Sequence, residues 1–319
     1  MKRSLGSLCE QALDQMRERG WEPELELDQY RRIAAVGLIA KTLPLAFVAC
    51  DILEREQPLT LRGLFYLIVS EGWLPSTDKQ HYTRLRKLTV KLREKGVVPF
   101  EWFVDHVRAT LKLSSWSGLA DYVDTVKDAY RKNFWASLSD YVHVFVEKDA
   151  MAGVLEPVTR DYDVPLSVIR GNISLSFAYE IAQLWKRFEK PVFAYYFGDH
   201  DPSGLDLERD LQAKLRRYGA PDFTWERLGV CPTDFETFNL FPLEPKKTDS
   251  RMKRFLAQGY TKCAELDAIP ATALRARLER AINEHIPAEE WERLRRIEEL
   301  ERQQWEGVMR KFGKKVAAG

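Results

Sequence analysis

Two runs of the chain are almost unbroken in apolar residues and then turn acidic at once: VHVFVEKDAM (142–151) and VFAYYFGDHDPSG (192–204). Short apolar runs of this kind read as strands buried on both faces, as in a parallel sheet. Between them FAYEIAQLWKRF (177–188) carries apolar residues at helical spacing, which predicts a crossover helix and so an alternating strand–helix unit over about 139–235. Upstream, LTLRGLFYLIVSEGW (59–73) predicts a short apolar helix. HYTRLRKLTVKLREKG (81–96) predicts a longer one, with Leu85, Leu88 and Leu92 on one face and Gly96 at its end. The apolar VVPFEWFV (97–104), with a proline suited to an edge or a turn, completes the pattern of a winged helix. Downstream, a helix is predicted after Pro270, followed by a long amphipathic one over 288–312 whose stripe is Trp291, Leu294, Ile297 and Leu300.

These patterns predict an α/β chain. It would have an N-terminal helical segment (1–50), a winged-helix domain (51–110), a connecting segment (111–138), a Rossmann-like and mostly parallel sheet domain (139–235), and a C-terminal flanking region with the long helix (236–319). In an open parallel sheet the ligand crevice lies at the strand ends, so Glu147, Asp199 and Asp201 are expected to converge there. Asp199 and Asp201 are two apart and would share a side in extended chain. Crowded carboxylates repel unless a cation neutralises them, and an all-oxygen set suits Mg²⁺, which takes one or two carboxylates plus phosphate oxygens. The other reading of such a string is a solvated acidic turn. His200 lies between the two aspartates, and alternation would point it away from both; His143 falls within the strand and reads as a satisfied core histidine. Lys148 has two readings, a phosphate contact or a plain surface lysine.

Charge sharpens the division. The net charge of +1 conceals nine Lys/Arg against five Asp/Glu over residues 60–110, and seven against thirteen over 139–212. A basic module beside an acidic one suits a polyanionic partner: Arg84, Arg86, Lys87, Lys91, Arg93 and Lys95 surround the leucine face of the basic helix and are candidate backbone-phosphate contacts. No base-reading residues stand out among them, which implies weak sequence preference. The four cysteines have no CxxC spacing, so neither a disulfide framework nor a zinc knuckle is indicated. The stretch 34–50 is interrupted by Lys41 and Pro44, and MKRSLGSLCEQALDQM lacks an apolar run, so neither a membrane span nor a secretion signal is expected. A cytoplasmic, nucleoid-associated protein is the corresponding expectation.

A strand ending in a glutamate, followed about fifty residues later by one ending in DxD, resembles a Toprim domain. VEKDAM and GDHDPSG are similar to the glutamate and DxDPxG motifs of the topoisomerase VI A subunit and the related meiotic double-strand-break proteins. ELDAIP (265–270) and the turn RGNIS (170–174) add weaker likeness. The resemblance covers about two-thirds of the chain. It maps LTLRGLFYLIVSEGW onto the family's segment around its nucleophilic tyrosine, which assigns Tyr66 as nucleophile and Arg62, four residues earlier and one helical turn away, as its helper. By pattern alone Tyr66 reads as a core residue with its hydroxyl at the rim, and it is the resemblance that turns it into a nucleophile. Gly63 departs from the family, whose members often carry a polar or acidic residue there.

What the resemblance implies is Mg²⁺-dependent breakage of double-stranded DNA by tyrosine transesterification, leaving a 5′-phosphotyrosyl link, with Glu147, Asp199 and Asp201 as metal ligands. It also implies a homodimer in which the tyrosine of one copy meets the metal site of the other. No P-loop is present, so strand passage would need a separate ATPase subunit. The alternatives are a Toprim nuclease using metal-activated water and a DNA-binding subunit without catalysis.

Overall fold

The computed structural model describes residues 4–104, 115–169, 171, 173–245 and 249–317. Arg170 and Asn172 of the RGNIS turn, residues 105–114 and Thr248 lie outside them. In chain order the helices are α1 (Leu5–Glu18), α2 (Leu27–Ala34), α3 (Leu43–Glu56), α4 (Leu61–Ser70), α5 (Lys79–Glu94), α6 (Leu119–Ala129), α7 (Asp149–Asp161), α8 (Leu175–Trp185), α9 (Pro202–Arg217), α10 (Asp234–Thr237), α11 (Met252–Ala257), α12 (Ala271–Asn283) and α13 (Ala288–Ala317).

The strands β1 (Tyr141–Val146), β2 (Leu166–Val168), β3 (Val192–Phe197) and β4 (Phe223–Arg227) form one parallel sheet in the order β2-β1-β3-β4. The chain leaves β1 for one neighbour and returns from β2 to pair on the other side. The topological switch point therefore lies between β1 and β3, which run in register from Tyr141 opposite Val192 to Val146 opposite Phe197.

Alternation along β1 explains why both faces of the sheet are covered. Val142, Val144 and Val146 join a core with α7, α12 and the N-terminal helices, whereas Tyr141 and Phe145 join a second core beneath α8 and α9. Each such side chain contributes about 1.5–3 kcal/mol on full burial, so the register is held from both sides. His143 is a satisfied core histidine: its Nδ1 accepts from the Trp185 indole N–H at 3.1 Å, which leaves the Nε2 proton to Ser167 Oγ at 2.9 Å.

The N-terminal helices share the sheet's first core, and α3 runs through residue 50 to pack on α1, α4 and α12. In the expected winged helix, α4 and α5 form, but no wing strands do among the described residues. Phe100–Trp102 is a 3₁₀ turn started by Pro99, and among the described residues this stretch pairs through a single bridge between Leu59 and Phe103. Two of the basic residues on α5 are engaged within the fold. Lys91 Nζ donates to Gly37 O at 2.8 Å, and the Arg93 guanidinium lies 4.7 Å from the centre of the Phe103 ring; Arg84, Arg86, Lys87 and Lys95 are exposed. The long helix α13 buries only the start of its stripe, Trp291 and Leu294, and leaves Leu300 exposed.

Candidate functional site

Glu147 is the first residue beyond β1, and its backbone N–H still donates to Phe197 O of β3 at 2.9 Å. The chain after β3 turns through Gly198 and Asp199 into α9, whose N-cap is Asp201: its Oδ1 accepts the Gly204 N–H at 2.7 Å, and Pro202 occupies the first helical turn. Glu147 Oε2 in turn accepts the Asp199 N–H at 2.9 Å. Gly204 makes the approach possible, because a Cβ there would stand 2.5 Å from Asp199 O and 3.1 Å from Glu147 Oε2. The two acidic strand ends thus meet at the switch point, as their sequence pattern predicts.

Glu265 and Asp267, the acids of ELDAIP, enter the same cluster. The 3₁₀ turn Leu266–Ala268 lies against α4 and presents the Leu266 N–H to Asp199 Oδ1 at 2.7 Å. Lys148 Nζ sits among three carboxylates, 2.9 Å from Asp199 Oδ2, 3.0 Å from Glu265 Oε2 and 3.3 Å from Asp267 Oδ2. Asp267 also accepts from the Thr60 hydroxyl, and Thr60 Oγ1 caps α4 by accepting the Gly63 N–H at 2.8 Å. A Cβ on Gly63 would meet Asp267 O at 3.2 Å, so a larger residue here would press on the ELDAIP turn.

Arg62 and Tyr66 lie on α4 facing this turn. Arg62 Nε pairs with Glu265 Oε2 at 3.0 Å, so a cation and a carboxylate lie close to the Tyr66 phenol, and both charges act on it. A continuous run of ion pairs therefore extends from Arg62, beside the phenol, through Glu265 and Lys148 to Asp199, all within one chain. The Tyr66 ring itself is packed in the core and only 5% exposed. Burial, then the charge of Glu265, push the phenol above the ordinary tyrosine range, and Arg62 only partly opposes this.

The carboxylates respond to the same crowding. Burial, followed by the charge of Asp199, raises Glu147 above the usual carboxylate range; burial raises Asp199 too, although Lys148 and the Leu266 N–H pull the other way. Burial works against the Lys148 ammonium, but Asp199, Asp267 and Glu265 outweigh it and hold the charge on. Lys148 is thus neither a free phosphate contact nor a plain surface lysine but the cation of an acidic cluster. His200 turns away from the acids, as alternation predicts, into a pocket of Phe235, Phe255 and Tyr260, and burial lowers it to about 4.

The donor set can be compared with the needs of Mg²⁺. Among the described residues no group of three or more His, Cys, Asp and Glu side chains is arranged to hold a metal ion. Asp199 has both oxygens committed, one to Leu266 and one to Lys148. Glu147 and Asp201 each spend one oxygen on a backbone N–H, at Asp199 and Gly204 respectively, and keep the other. Two such carboxylates fit the sparse protein ligation usual for Mg²⁺. The three-acid set expected from the sequence would require Asp199 to exchange Lys148 for the metal.

The chain matches no protein-family model and no curated protein. Its chemistry therefore rests on the geometry of its own residues.

Proposed function

We propose that the protein breaks the DNA backbone with Mg²⁺ at the acidic cluster, Tyr66 acting as nucleophile. The observation that carries the reading is the chain of ion pairs from Arg62, one helical turn from Tyr66 on α4, through Glu265 and Lys148 to Asp199. On this reading the domain before the sheet is a winged helix reduced to its helices, and the sheet domain is a Toprim domain.

Glu265, which pairs with Arg62 beside Tyr66, takes the phenolic proton as Tyr66 Oη attacks phosphorus. The bond to the 3′ oxygen breaks, that oxygen leaves with a proton from water, and the 5′ phosphate stays esterified to the tyrosine. Arg62 steadies the developing phenolate and the phosphate it approaches. Lys148, released from Asp199, would transfer its charge to a phosphate oxygen and open Asp199 to the cation. Mg²⁺, held by Glu147 and Asp201 with Asp199, would supply charge neutralisation at the phosphate. The resemblance implies a tyrosine acting on a partner's acids, whereas here Arg62, on the same helix as Tyr66, already pairs with Glu265 of its own chain. This supports a site assembled within one copy, with a homodimer needed only to cut both strands.

Burial of Tyr66 favours a second reading, hydrolysis by water at the same acids with Tyr66 as a core residue. Supercoiled plasmid incubated with protein and Mg²⁺, then run on denaturing gels with and without proteinase, separates the readings. Transesterification gives protein-linked DNA that Tyr66→Phe abolishes, hydrolysis gives free ends that Tyr66→Phe leaves unchanged, and a binding subunit gives neither.

A further inference from the structure

A cavity of about 340 Å³ opens on the outer side of α9, between that helix, β4 and α11. Its wall carries five arginines, Arg209, Arg216, Arg227, Arg251 and Arg254, against two acids, Asp206 and Glu208. The acids are spent locally: Asp206 pairs with Arg209 at 2.8 Å, and Glu208 pairs with Arg227. Arg216 lies over the Phe223 ring, 4.9 Å from its centre, and neither it nor Arg254 has an ion-pair partner among the described residues. A concave surface with a surplus of guanidinium groups, some of them unneutralised, is built for an anion with several oxygens, because each planar fork can grip two of them.

The position of the cavity selects the anion. Pro202 and Leu205 of the first turns of α9 line it, while Asp201 caps that helix and Gly204 leaves its inner side open to Glu147, where a Cβ would stand 3.1 Å from Oε2. Arg227 belongs to both places: it lines the cavity and donates through Nη2 to the carbonyls of Gly198, at 3.0 Å, and Asp199, in the acidic turn itself. A polymer with a phosphate at the acids would have its neighbouring phosphates within reach of the arginines. We propose that this cavity binds backbone phosphates of the DNA strand next to the one held at the acidic cluster, so that the strand runs over the first turn of α9. The inference rests on the DNA-breaking function for its choice of polymer and adds the direction in which the strand leaves the site. The basic residues of α5 are not part of the cavity.

The test is binding without cleavage. Fluorescence anisotropy of a labelled 20-nucleotide single strand, and of its duplex, is measured in EDTA over a salt series. The proteins compared are the wild type and a double variant, Arg216→Ala with Arg254→Ala, both exposed positions outside the acidic cluster. The variant should bind one or both probes at least tenfold more weakly. Its log–log salt slope should be shallower by about 1.4 on the single strand, roughly 0.7 for each phosphate that an arginine no longer neutralises. Arg254→Lys should recover part of the affinity and Arg254→Glu should weaken it further, at an unchanged melting temperature. Unchanged affinity and slope for both probes in the double variant would overturn the proposal. So would a cavity that takes inorganic triphosphate, by competition against wild type, without the oligonucleotide binding depending on the arginines. The plasmid assay keeps the cavity and the cleavage apart: arginine-dependent binding in a wild type that never cuts plasmid sinks the cleavage alone, while cleavage with arginine-independent binding sinks the cavity alone.

Discussion

Replacing Lys148 by methionine keeps most of the side chain's length and removes the one ammonium shared by Asp199, Glu265 and Asp267. Their side chains are 9%, 20% and 3% exposed, so water can do little to replace the missing cation. Removing one partner from a buried ion pair costs about 3–5 kcal/mol, because the charge left behind stays desolvated. With an unfolding entropy of about 2.1 cal/mol/K per residue, this lowers the apparent Tm of a chain this long by roughly 4–8 °C in EDTA near pH 8. Mg²⁺ should then occupy the vacated position. At a hundredfold excess over its Kd it would return about 2.7 kcal/mol, so the variant should gain more Tm from Mg²⁺ than the wild type does. Differential scanning fluorimetry with and without Mg²⁺ measures both effects. A Lys148→Met protein that melts with the wild type in EDTA, or gains no more from Mg²⁺ than the wild type, would refute the claim that Lys148 holds a cation's place.

Gly204→Ala should be destabilised by about 1–3 kcal/mol in denaturant titrations and should lose cleavage, because its Cβ would press on Asp199 O at 2.5 Å; full stability with full activity would remove Gly204 from the account. His143 is held down to about 3 by burial, so between pH 6.5 and 3 the unfolded chain takes up a proton that the folded one refuses, and stability falls with falling pH by up to about 1.36 kcal/mol per unit. Glu147 and Asp199, raised on folding, act in the opposite direction, so the measurement is the difference between wild type and His143→Phe in urea at pH 7 and pH 5; parallel losses in both proteins would contradict the assignment. Trp291, packed edge-on against Phe134 at 4.7 Å and stacked on Tyr162 at 5.6 Å, anchors α13, and Trp291→Ala should cost about 3–5 kcal/mol by the same titrations; a loss below about 1 kcal/mol would mean that α13 docks through other residues.

The meeting of Glu147 and Asp199 was legible because apolar runs as uniform as VHVFV and VFAYYF fit few places other than the centre of a parallel sheet, and adjacent strands bring their ends together. Asp201 followed from the same turn, although its helix-capping role needed the backbone of α9 to be seen. Glu265 and Asp267 were legible only as a family-like string. Their chemistry arises from hydrogen bonds with Lys148 that span 117 and 119 residues, which no local pattern encodes. Among the described residues VVPFEWFV forms no wing strand for a local reason: it has strand composition, but Pro99 starts a 3₁₀ turn and a single bridge joins Phe103 to Leu59. On α5 the basic residues share one composition but not one fate, since Lys91 and Arg93 are drawn back onto the fold while their neighbours face water. The arginine cavity draws its walls from α9, β4 and α11, three segments whose charges look like ordinary surface residues when read singly.

The most direct trial of the central claim is the plasmid assay read for covalent protein. Wild type with Mg²⁺ should give DNA that enters a denaturing gel only after proteinase, with its 5′ end blocked by protein, and Tyr66→Phe and Asp199→Ala should each abolish it. DNA cut to free ends by the Tyr66→Phe protein as readily as by the wild type would contradict the assignment of the nucleophile.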